Sequence, residues 1–143
     1  PAQMDEWVKD FDSWDVTDTA CTGLFDKTPY AIQKIKEWSE REPEFEKRAG
    51  FALMAGLAWH SKTEPDTTFV KLLPIIKREA HDERNFVKKA ANWALREIGK
   101  RNATLNKEAI ACAEEIQQVD SKSARWIAAD ALRELKAQTK FKF

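Results

Sequence analysis

Apolar positions recur along this chain at spacings of three and four, the signature of helices with one buried face. Phe45, Ala49, Ala52, Leu53 and Leu57 form one such stripe. Pro43 and the acids after it mark its beginning, because a helix N-terminus accepts proline and favours negative charge. Pro65-Asp66 opens a second stripe through Phe69, Leu72, Leu73 and Ile76, and Pro74 is expected to kink or divide that helix. Asp82 is placed to N-cap a long helix from about Glu83 to Lys100, carrying Phe86, Ala90, Trp93, Ala94 and Ile98. Asp120 and Ser121 are placed to cap a last helix, through Arg125 to about Gln138. No stretch alternates strictly enough to predict a strand.

The stripes also repeat. Ala94-Leu95-Arg96-Glu97-Ile98 returns 37 residues later as Ala131-Leu132-Arg133-Glu134-Leu135. Phe45-Glu46-Lys47-Arg48-Ala49 is echoed 41 residues later by Phe86-Val87-Lys88-Lys89-Ala90. Offsets of this size suit helix-pair repeats of the HEAT type. The alternative is an irregular helical bundle, since short echoes among Ala, Leu and Arg also arise by chance. The expected fold is all-α: stacked antiparallel helix pairs in a HEAT-like repeat solenoid, a single domain over residues 1–143. One unit would pair an outer helix near 65–80 with an inner helix near 83–100, the inner helices lining a concave surface.

Composition narrows the class. A hydrophobic fraction of 43% beside a charged fraction of 34% excludes disorder and fits a charge-coated helical protein. No apolar run approaches the roughly 20 residues of a membrane span and no signal peptide is expected, which makes a cytoplasmic protein without membrane contact the expectation. Cys21 and Cys112 lie far apart, and His60 and His81 are isolated, so neither a disulfide nor a metal site is expected. The net charge of zero hides an asymmetry. Residues 1–46 hold five Lys+Arg against twelve Asp+Glu, whereas residues 47–143 hold nineteen against twelve. Any phosphate-binding surface therefore belongs mainly to the later part.

Three sets of residues carry candidate chemistry. The basic pairs Lys47-Arg48 and Lys88-Lys89 stand near the starts of two inner helices, and Lys122 and Arg125 near the start of a third. Cations there oppose the helix dipole, which makes sense if phosphate occupies those helix ends; a solvated charged edge is the alternative. Trp14 and Asp18, four apart, would share a helical face, an indole beside a carboxylate that lowers the energy of an oxocarbenium-like state. More ordinarily, that spacing gives a core aromatic beside an exposed charge. Trp93 follows Lys89 by four and would stand beside it, as a stacking surface for a nucleotide or as an anchor between repeats. Trp7, Trp38, Trp59 and Trp126 are assigned to packing or partly covered surface.

Trp14-Asp15-x-x-Asp18, Lys47-Arg48-Ala49 and Lys88-Lys89-Ala90-x-x-Trp93-Ala94-Leu95-Arg96-Glu97, in that order, resemble the signatures of AlkD-like DNA alkylation repair glycosylases. The resemblance spans the chain from about Trp7 onward. It implies a HEAT-like stack cradling duplex DNA, and hydrolysis of the N-glycosidic bond of N3- or N7-alkylated purines without metal or organic cofactor. By position, Trp14 and Trp93 resemble indoles set against the deoxyribose, and Asp18 the carboxylate that stabilises the sugar cation and positions water. Arg48 resembles an arginine on a phosphate near the lesion, with Lys47, Lys88, Lys89 and Arg125 as further DNA contacts. Family members carry further helices before the tryptophan–aspartate block. The chain is accordingly expected to be the C-terminal portion of a longer family fold, with a homodimer through the uncovered face as one consequence. A DNA-structure-binding protein without catalysis, and a protein-interaction scaffold, are the alternative functions.

Overall fold

A computed structural model describes residues 31–61 and 64–141. Those residues form six helices and no strand: α1 (Ala31–Trp38), α2 (Glu44–His60), α3 (Asp66–Glu79), α4 (Asn85–Gly99), α5 (Ala103–Gln117) and α6 (Lys122–Lys136). They stack in two layers. α2, α4 and α6 lie side by side in one layer, with α1 against α2, while α3 and α5 pack together in the other. This is a solenoid of helix pairs. Its period is visible in the side-chain hydrogen bonds, which join neighbouring units at separations such as 35 for Asn92 to Ile127, 38 for Arg96 to Glu134 and 43 for Arg101 to Ala58.

The apolar stripes become the core. Phe51, Leu53, Met54, Phe69, Leu72, Ile76, Leu95, Ile98 and Leu105 are fully buried, with Trp38 closing the end of α1. Burying each large side chain of this kind contributes about 1.5–3 kcal/mol. α2 is buried on every side from Lys47 to Ala58, as the central helix of a stack must be. Gly50 is what lets α1 approach it: a Cβ there would lie 2.5 Å from the backbone nitrogen of Ser39.

Local signals account for most helix starts. Pro43 and Pro65 precede α2 and α3, where a missing N–H costs nothing. Ser121 caps α6 by accepting from the Ala124 N–H at 3.2 Å. Three features differ from the sequence expectation. α3 is not divided at Pro74, which sits with Val70 on the exposed side, where the carbonyl left without its N–H partner can be hydrated. Asp82 is not the cap of α4. Its carboxylate accepts from the backbone and side chain of Arg84, and α4 begins at Asn85 with no cap from its preceding residue. Finally, α1 and α5 are helices that the periodicity did not announce. α1 is only eight residues long, and α5 buries small or polar residues, Asn106, Ala109, Cys112 and Ala113, beside Leu105 and Ile116. Its cap is local all the same: the Asn102 side chain accepts from the Leu105 N–H at 2.8 Å.

Candidate functional site

α4 turns Phe86, Lys89 and Trp93 along one partly open face, at helical spacings of three and four. Lys89 is exposed, and Trp93 is half-buried, packed against the core on one side. An indole so placed keeps a rigid apolar surface within one turn of a free ammonium, an arrangement suited to a sugar beside a phosphate. Further along, the same helix carries Arg96, which donates to the Asn92 side chain at 2.8 Å and to Glu134 on α6 at 3.0 Å. Asn92 in turn donates to the Ile127 carbonyl at 3.1 Å. The helix bearing Trp93 is thus tied to its neighbour by a buried amide and an ion pair, and the indole stands on rigid ground.

α6 continues the surface. Lys122, Arg125 and Trp126 are exposed at its beginning, and the Lys88 ammonium lies over the Trp126 ring at 5.4 Å from the centroid. That contact joins the basic pair of α4 to the basic start of α6. Among the tryptophans assigned to packing or partly covered surface, Trp38 is buried, and Trp59 and Trp126 are partly covered at 46% and 40% exposure. The clue to Trp126 was available: the 37-residue offset puts it in register with Lys89.

Lys47 and Arg48 are placed differently. Both are 6% exposed, which departs from the open edge expected of a basic pair at a helix start. Lys47 donates to Glu79 at 2.7 Å and to Asp82 at 2.8 Å. Burial alone would raise both carboxyls, but hydrogen bonds from Lys47 and from Arg78 or Arg84 outweigh it and hold each below its usual range. Arg48 donates to the Phe86 carbonyl and lies over the Phe86 ring, which itself meets Phe45 at 5.5 Å. Arg48 therefore reaches α4 two turns before Trp93, about 10 Å along the axis.

The helix ends have carboxylates of their own. Glu44 accepts from the Phe86 N–H at 3.4 Å at the start of α4, and Glu83 accepts from the Ser123 N–H at 2.8 Å at the start of α6. Ser121 also donates to Glu83, and these two bonds hold its carboxyl below the usual range. A phosphate at either helix end would meet an anion already seated there, so the cations on the open faces are the better phosphate partners.

Trp14 and Asp18 lie outside the described residues, as do Trp7 and Cys21. Among the described residues, no three metal-ligating side chains gather into a cluster, and no helix is long and apolar enough to cross a membrane. A cavity of about 320 Å³ opens between α3 and α5, lined by Leu73, Pro74, Lys77 and Cys112 among others, on the layer away from Trp93.

A family model described as DNA alkylation repair enzyme matches residues 2–137. No curated protein and no solved structure matches the chain.

Proposed function

The chain belongs to the DNA alkylation repair enzyme family, and we propose that within it this protein hydrolyses the N-glycosidic bond of N3- or N7-alkylated purines in duplex DNA. The observation that carries this is the half-open Trp93 indole, one turn from the exposed Lys89 on a helix locked to its neighbour.

In this mechanism the alkylated purine is already a cation. Its bond to C1′ breaks with both electrons passing to the base, which departs neutral and leaves an oxocarbenium-like sugar. Trp93, with Trp14, packs against that deoxyribose and keeps it oriented. The Asp18 carboxylate stabilises the sugar cation and positions the water that adds to C1′, the released proton passing to the carboxylate or to solvent. The product is an abasic site. Lys89 and Arg125, whose side chains are exposed, supply phosphate contacts, with the half-buried Lys88 between them. Lys47 and Arg48 act behind them, holding α2 to the turn and first residues of α4.

Methylated duplex DNA provides the test, with 7-methylguanine and 3-methyladenine released from it measured by chromatography. Asp18→Asn should lower the rate by about 10²–10³-fold, as expected for losing one electrostatic stabiliser. Trp93→Ala should lower it with little change in fold. If the full chain leaves methylated DNA intact at every salt concentration, hydrolysis is ruled out. Duplex binding without base release is the second reading, favoured by the exposed Lys89, Lys122 and Arg125, which serve binding without any catalytic acid.

A further inference from the structure

Trp126 stands out among the exposed residues. It is 40% exposed, although an indole is the most costly side chain to leave in water. It is not part of the core, and one of its faces is occupied by the Lys88 ammonium. Exposed Lys89, Lys122 and Arg125 surround this pair in sequence and register. Among the described residues the carboxylates beside these four cations are already engaged: Asp130, one turn along α6 from Trp126, pairs with Arg133. Glu83 is engaged by Ser121 and Ser123 at the end of α6, and Asp120 pairs with Arg125 across a loose 3.5 Å.

The repeat register says where Trp126 points. Aligning the two Ala-Leu-Arg-Glu runs matches Arg125 to Lys88 and Trp126 to Lys89, and Lys89 and Trp126 are both exposed. Equivalent positions in stacked repeats face the same way. The indole thus occupies the place on α6 that the exposed Lys89 holds on α4.

We infer that Trp126 is a second contact to duplex DNA, its uncovered face packing on a deoxyribose of the flank beyond the lesion while Lys88 and Arg125 take the adjoining phosphates. The assignment rests on reading the protein as one that acts on duplex DNA. Charge complementarity selects this occupant: an aromatic face with Lys88 stacked on it and exposed Lys122 and Arg125 on the same helix suits a sugar–phosphate chain. The contact is independent of sequence, because every nucleotide presents the same sugar. It extends the footprint by one repeat past Trp93 and so sets affinity rather than chemistry.

The experiment compares the full chain with Trp126→Ala, Trp126→Phe and Lys88→Gln for binding to a labelled undamaged duplex over a series of salt concentrations. Base release from saturating methylated duplex is measured alongside. Trp126→Ala should weaken binding about five- to tenfold with the salt slope unchanged, and Trp126→Phe should recover much of the loss. Lys88→Gln should reduce the salt slope by about one. The saturated release rate of Trp126→Ala should match that of the parent. Parental binding by Trp126→Ala overturns the inference while leaving the hydrolase reading intact. Weaker binding by Trp126→Ala in a protein that releases no base supports the inference and removes the hydrolase. A parent that binds no duplex removes both.

Discussion

Arg96 and Glu134 meet at 3.0 Å across α4 and α6, and they are the arginine and the glutamate of two copies of one five-residue run. The signature of one repeat is therefore completed by the next. Lys100 joins the same glutamate, and these two cations bring its carboxyl below the usual range although burial pulls the other way.

The two halves of this rung should not be equivalent. Glu134→Gln removes a half-exposed charge and should cost about 0.5 kcal/mol. Arg96→Ala also strips the buried Asn92 amide oxygen of its donor, and should cost about 2 kcal/mol. Urea unfolding of both variants and the double variant measures the difference, and equal costs would show that Asn92 finds another donor.

Gly50 and Gly99 should respond to alanine very differently. At Gly50 the new methyl meets the Ser39 and Trp38 backbone, which cannot give without moving α1. A loss of about 3 kcal/mol is expected. At Gly99 the nearest atom is a methyl of Leu135, the far end of a side chain that can turn aside, so about 1 kcal/mol should suffice. Thermal unfolding of the two variants ranks them.

Acid should unfold the protein through the Lys47 cluster. Asp82 and Glu79 have folded pKa values below their ordinary 3.8 and 4.5. A carboxyl lowered on folding adds stability above its unfolded pKa and loses it as pH falls through the folded one. Stability should thus be level above about pH 5 and decline steadily below pH 4. Lys47→Met should lower the plateau by about 2–3 kcal/mol and make the decline shallower. Urea midpoints across that pH range are the measurement; an unchanged slope would place the acid sensitivity elsewhere.

Arg101 closes α2 from the next unit. Its guanidinium donates to the carbonyls of Ala58, Ser61 and Glu64 and lies 4.3 Å from the Phe69 ring centroid. A cation at a helix C-terminus is favoured by the dipole, and burial lowers its pKa without threatening its charge. Arg101→Met should cost about 3 kcal/mol, and Arg101→Lys, which cannot fork to three carbonyls, nearly as much. Denaturant midpoints test both.

What the sequence made legible was local. Ser121 announced α6, Pro43 and Pro65 announced α2 and α3, and the two echoes gave the period that the Arg96–Glu134 and Arg101–Ala58 bonds display. What it hid depends on partners about forty positions away. Lys47 looked like a cation misplaced at a helix start because Glu79 and Asp82 belong to the following unit. Asp82 looked like a cap because its engagement by Lys47, 35 positions earlier, leaves no local trace. Of the candidate site, spacing on one helix put Trp93 and Lys89 on a shared face, as the structure has them, while the exposure of Trp126 beside Lys88 depends on register between helices rather than on spacing within one.

Glu44, Asp66 and Glu83 share one further property: each lies earlier in the chain than the helix whose beginning it serves. Glu44 meets Phe86, Asp66 holds the Asn102 amide that caps α5, and Glu83 meets Ser123. During synthesis the amino-terminal units emerge first. Each of the last three helices therefore finds its anionic seat waiting on a unit that left the ribosome before it, and the array can grow in the direction of translation, each turn of the stack serving as template for its successor.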